Sequence, residues 1–141
     1  MTYATQQDLI DRFGAVEIAQ LSDRTNGTVI DAVVVGRALA DADAEIDAYL
    51  ATRYQLPLVS VPPVLARVAA DVARYRLYDE RPTETVRTHY QDAVTLLKGM
   101  SSGAVQLPAA TPLPATTNGG GNAVFSRTSQ KRFSGSALAD Y

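Results

Sequence analysis

The chain has no cysteine and no tryptophan, a single histidine, and no long uninterrupted apolar stretch. Without cysteine there is no disulfide, no thiol nucleophile and no thiolate metal site. One histidine, His89, leaves no second imidazole for a metal pair. It sits in mid-helix pattern beside Tyr90 with no Asp, Glu or Ser partner at a suitable spacing, whereas general base catalysis needs a positioned partner. A surface or packing role is the simpler reading for it. No run approaches the ~18 apolar residues of a membrane span. The start, Met1–Asp8, lacks the basic and apolar regions of a signal peptide. The triplet Gly119–Gly121 follows no strand and opens no helix, so it is a joint rather than a phosphate-binding loop. Acidic residues are also missing from one whole region: none occurs between Ser101 and Asp140.

That last absence divides the molecule. Met1–Leu97 carries 9 Arg against 14 Asp and Glu, a net −5, whereas Lys98–Tyr141 carries 4 Lys and Arg against 1 Asp, a net +3. The overall pI near 5.3 argues against a general nucleic-acid binder. At 141 residues one domain is expected, and 46% hydrophobic content suits a globular chain rather than a disordered one.

The acidic part is periodic. Thr5 is placed to cap a short helix ending at Phe13 before Gly14, with Leu9, Ile10 and Phe13 facing inward. A second short helix, Val16–Leu21, presents Val16, Ile18, Ala19 and Leu21. Ser22–Thr28 is a turn built on Asn26-Gly27. Asp31 caps the longest helix, expected over Ala32–Tyr54, where Val35, Leu39, Ala42, Ile46, Tyr49 and Arg53 recur at alternating steps of four and three. On its wet side Arg37 and Asp41 are spaced for an ion pair. Pro62-Pro63 opens a helix to Tyr78, and Thr83 caps a last one to about Met100, striped by Val86, Tyr90, Ala93, Leu97 and Met100. The fold class is therefore all-α: a small antiparallel bundle of three long helices and two short N-terminal ones over residues 1–100. Residues 101–141 form an extended Pro/Gly-rich arm. Its Gln106–Ala115 stretch is expected to be extended rather than packed, and a short hairpin is expected around Thr128–Gln130.

Four groups of residues invite a chemical role. Asp41, Asp43, Glu45 and Asp47 are the densest carboxylates. Neighbours two apart diverge around a helix, so a solvated face, or one meeting a basic partner, is favoured over a metal site. Asp23–Asp31 faintly resembles a calcium loop, but with Gly27 at its sixth place the first, third and twelfth fall on Ser22, Arg24 and Val33, and the carboxylates are missing. Arg74-Tyr75-Arg76-Leu77-Tyr78-Asp79 suits either core aromatics with snorkelling arginines or an interface. At the end of the arm, Arg127, Lys131 and Arg132 alternate with Phe125 and Phe133, followed by Leu138 and Tyr141. Basic residues among aromatics are a nucleic-acid cue, yet these three cations are few and the segment is apolar, so docking on a protein surface fits better. No catalytic constellation, cofactor or metal site is expected.

Taken together, Tyr3–Gly14, Leu39–Leu50, Arg53–Leu58, Ala73–Asp79 and the Arg132-Phe133…Leu138…Tyr141 ending resemble the small head–tail proteins of Mu-like phages, relatives of the helical adaptor, connector or head-completion proteins of long-tailed phages. The resemblance covers nearly the whole chain and departs at Arg24–Thr28, where a more acidic turn belongs. It implies a non-enzymatic virion component: a ring, commonly a dodecamer, between the portal protein and a tail-side stopper or tail-terminator protein, with DNA passing through transiently. The protein would be located at the head–tail junction, and in the host cytoplasm during assembly. Phe125, Arg127, Lys131, Arg132, Phe133, Leu138 and Tyr141 would then contact the portal or a neighbouring subunit, and Asp41, Glu45 and Asp47 would face the channel or the next subunit. The alternative is a nucleic-acid-binding or regulatory module working through its basic tail.

Overall fold

A computed structural model describes residues 1–108 and 110–114. The expected hairpin and the arm residues from Phe125 to Tyr141 lie outside the described residues. Among the described residues five helices follow in order: α1 Gln6–Phe13, α2 Ala15–Ser22, α3 Ala32–Leu50, α4 Pro63–Tyr78 and α5 Glu84–Ser102. They form the all-α bundle that the pattern predicts.

Local chemistry caps α1, α3 and α5 at the expected residues. The Thr5 hydroxyl accepts from the Asp8 amide while the Asp8 carboxylate accepts from the Thr5 amide, a reciprocal capping box on α1. Asp31 accepts from the amides of Val33 and Val34, and Thr83 from that of Val86. Gly14, at φ +93°, ends α1 and begins α2 in a single residue, a conformation that side-chain-bearing residues rarely adopt.

α4 lies at the centre and touches each of the other four helices. Its small residues Ala69, Ala70 and Ala73 are fully buried beside Leu65, Val68 and Val72, so α3 and α5 approach its backbone closely. From α3 come Val35, Ala38, Leu39, Ala42, Ile46 and Leu50, and from α5 Val86, Ala93, Leu97 and Met100. The two short helices add Leu9, Ile18 and Ala19.

Three expectations need correction. α3 ends at Leu50 rather than Tyr54: the chain runs on through a turn, and Tyr54 is buried in the core cluster while its backbone pairs with Pro112 in an isolated antiparallel bridge. Val16 does not enter the core and is 71% exposed, because α2 buries Ile18, Ala19 and Ser22 instead. The chain after α5 is extended but, across its described residues, not unpacked. Gly103 turns it back in the left-handed region (φ +89°), Val105 packs on Gly99, and Leu107 joins the core. The Leu107 amide donates to the Tyr54 hydroxyl (3.2 Å), Gln55 to the Thr111 carbonyl (2.9 Å) and Leu113 to the Arg53 carbonyl (2.8 Å). Residues 103–108 and 110–113 thus form a strap across the end of α3.

Candidate functional surface

The acidic run of α3 divides as helical geometry requires. Asp43 accepts from the Tyr3 amide at 2.9 Å, and Asp47 accepts from the Tyr3 hydroxyl, which fixes the segment before α1 against α3. Burial and this pair of carboxylates push the Tyr3 phenol well above its ordinary range, and burial raises Asp43. Glu45 faces the other way, accepting from Arg76 of α4 and from the Tyr90 hydroxyl of α5, both at 2.8 Å. Burial, then that bond, pushes Tyr90 up to about 12. Glu45 and Asp47 therefore act within the bundle. Asp41 is exposed, makes no ion pair among the described residues, and lies beside Arg37 and Arg76 in a shallow recess rather than bonded to Arg37.

The Arg74–Asp79 segment joins helices. The Arg74 guanidinium donates twice to Glu17 of α2, at 2.8 Å each, and sits 4.3 Å from the centre of the Phe13 ring. Tyr75 stacks on Tyr90 with centroids 4.1 Å apart. Asp79 receives Arg24 at 3.1 Å. Arg74 and Arg76 are thus each paired with a glutamate inside this chain, while Arg76 stays partly exposed.

Two surface features were not legible as sites. The first is a hollow of about 310 Å³ lined by Arg12, Phe13, Arg67, Asp71 and His89. Asp71 is buried, 3.6 Å from Arg67, and burial raises its carboxyl against the pull of His89, Arg67, Arg12 and Arg74. His89 itself is exposed.

The second is larger and apolar. Ser22, buried at the end of α2, donates to the Ile18 carbonyl (2.7 Å) and accepts from the Asp31 amide (3.0 Å), clasping α2 to the start of α3. Between them, Asp23 accepts from the amides of Thr25, Asn26 and Thr28, which depresses its pKa, and Gly27 supplies the positive φ that the turn needs. The loop so shaped as a turn before a cap holds Thr28–Ile30 across from Ala15, Val16 and Ala19, leaving a groove of about 600 Å³. Val16 is 71% exposed, and Val29 and Val33 are 70% each. Val16 and Val29 wall the groove, whereas Val33 stands in the first turn of α3 outside its lining.

The chain matches the family model described as Bacteriophage Mu, Gp36 over residues 3–126. The chain belongs to this family. Among its Gp36 relatives, the Mu-like prophage FluMu protein gp36 of Haemophilus influenzae is 38% identical over 105 residues, 74% of each chain. Gene product J of Escherichia phage Mu is 39% identical over 104 residues, covering 73% of this chain and 74% of its own. This Gp36-family protein is therefore a Mu-like phage protein with a helical body. Among its described residues, no helix is long and apolar enough to cross a membrane, and no group of three or more His, Asp or Glu is placed to hold a metal.

Proposed function

We propose that this phage protein is a structural part of the virion: an adaptor standing as a ring between the portal and the tail, through which DNA passes, with no catalysis of its own. The observation that carries this reading is the groove. A helical body that keeps the groove valines Val16 and Val29 in water is suited to being covered by another protein surface. Family membership supplies the phage setting. The adaptor role, the ring, the portal and the tail-side stopper or terminator follow from the resemblance of the sequence to head–tail proteins. Of the three carboxylates considered for a channel or subunit face, Asp41 is the one left exposed for that duty, since Glu45 and Asp47 bond internally.

Attachment is assigned to the arm. Phe125, Phe133, Leu138 and Tyr141 supply apolar anchors, and Arg127, Lys131 and Arg132 the charge. Each large apolar side chain contributes roughly 1.5–3 kcal/mol when fully buried, multiplied around a ring by avidity. Deletion of Val124–Tyr141 is expected to leave helical content unchanged by circular dichroism and to abolish incorporation into phage heads. Full incorporation of the truncated protein, or a steep salt-dependent affinity of the intact chain for DNA, would overturn this assignment and favour a nucleic-acid module.

A further inference from the structure

We infer that the groove between α2 and residues 27–30 receives the C-terminal segment of a second copy of this chain. The inference deepens the ring reading above and rests on it.

Three observations converge on that occupant. The first is chemical: the groove is an open one of about 600 Å³ lined chiefly by Ala15, Val16, Ala19, Val29 and Ile30, a surface suited to apolar side chains. The segment from Val124 onward offers Phe125 and Phe133, the only two phenylalanines outside the helical body. The second is charge. Asp23 and Asp31 flank the groove-forming loop, and the arm carries Arg127, Lys131 and Arg132 with no acid before Asp140. A basic, apolar segment thus meets an apolar cleft made by a loop that an aspartate bounds in sequence at each end.

The third is placement. The described chain ends at Pro114, just after Leu113 bonds to Arg53 beyond the C-terminal end of α3. The groove lies by Ile30, before the N-terminal end of the same helix. Nineteen helical residues separate the two, about 28 Å along the axis. Residues 115–141 can span at most ~90 Å, ample to reach an adjacent body. Donor at one end and acceptor at the other make a head-to-tail contact, in which every copy gives once and receives once. Contacts of that kind close into rings when the rotation per copy allows.

The test uses two full-length variants. Val16→Asp with Val29→Asp spoils the groove at exposed positions, where the fold tolerates charge. Phe125→Ser with Phe133→Ser spoils the arm. Wild-type protein is expected to self-associate in sedimentation velocity, and each variant alone to weaken that association roughly 30-fold, the loss of one central apolar contact. Mixed, the two variants should form one-to-one pairs and stop there, because one retains only the arm and the other only the groove. A monomeric wild type, or a mixture that stays monomeric, overturns the inference. Incorporation into heads separates that failure from failure of the adaptor reading. If the groove variant joins heads normally while the arm variant does not, the arm acts on the portal and only the inference falls. If both join normally, the adaptor assignment of the arm falls with it.

Discussion

The strap after α5 can be probed through Leu107. This residue is buried against the bundle although it lies five residues beyond the helix, in a stretch rich in proline and threonine. Replacing a buried leucine by alanine costs about 2–5 kcal/mol, depending on how far the surroundings collapse. The strap lies at the surface and is able to settle, which places Leu107→Ala near the lower end, about 2 kcal/mol. For a body of this size that corresponds to a fall in melting temperature of about 8 °C. Leu113, on the same strap but 43% exposed, provides the control. Leu113→Ala should cost no more than about 0.5 kcal/mol. Urea unfolding followed by circular dichroism is the assay, and the midpoint should drop with an unchanged slope. If Leu107→Ala proves as silent as Leu113→Ala, the strap does not belong to the folded body, and the bridge between Tyr54 and Pro112 contributes nothing measurable.

Arg74→Ala removes two charge-assisted bonds to Glu17 and the cation above Phe13, leaving a half-buried carboxylate; a loss of about 2 kcal/mol is expected in the same assay. A cost indistinguishable from an exposed pair such as Arg87–Glu84 would show that this junction is incidental. Asp71 gives a pH signature. Its carboxyl holds a proton more tightly in the folded state than its ordinary 3.8, so its contribution to stability declines as pH rises from that value through the raised one. Asp71→Asn should therefore be more stable than wild type at neutral pH, with the gap closing near pH 3.8; a gap of constant size across that range would count against the buried charge.

Helix content was legible because its signals are local. Thr5, Asp31, Thr83 and Gly14 act within four residues of themselves, and the stripes of α3 and α5 repeat the period of a helix. Failures came where long-range contacts override local pattern. Tyr54 lies just past the last residue of the α3 stripe and is buried in a core cluster that includes Leu107, and Leu107 is a lone apolar residue with no period to betray it. Val16 fits an inward pattern as well as Ile18 does; only the loop shaped by Asp23 and Gly27, lying opposite it, turns its position into a groove wall. The carboxylates of α3 were visible as a cluster, yet their partners Tyr3, Arg76 and Tyr90 are supplied by other segments of the chain. Ser22 carried one weak signal, a small polar residue closing an apolar helix ahead of a capping aspartate.

The central position of α4 has a bearing on how such a protein can change over generations. Because Ala69, Ala70 and Ala73 meet neighbours on several sides, enlarging any one of them displaces more than one helix at once. The exposed valines Val16 and Val29 at the groove carry no such burden. A lineage confronted with a different neighbour can therefore rewrite those outer positions freely while the central helix stays as it is, so compatibility with partners and the capacity to fold are free to drift apart.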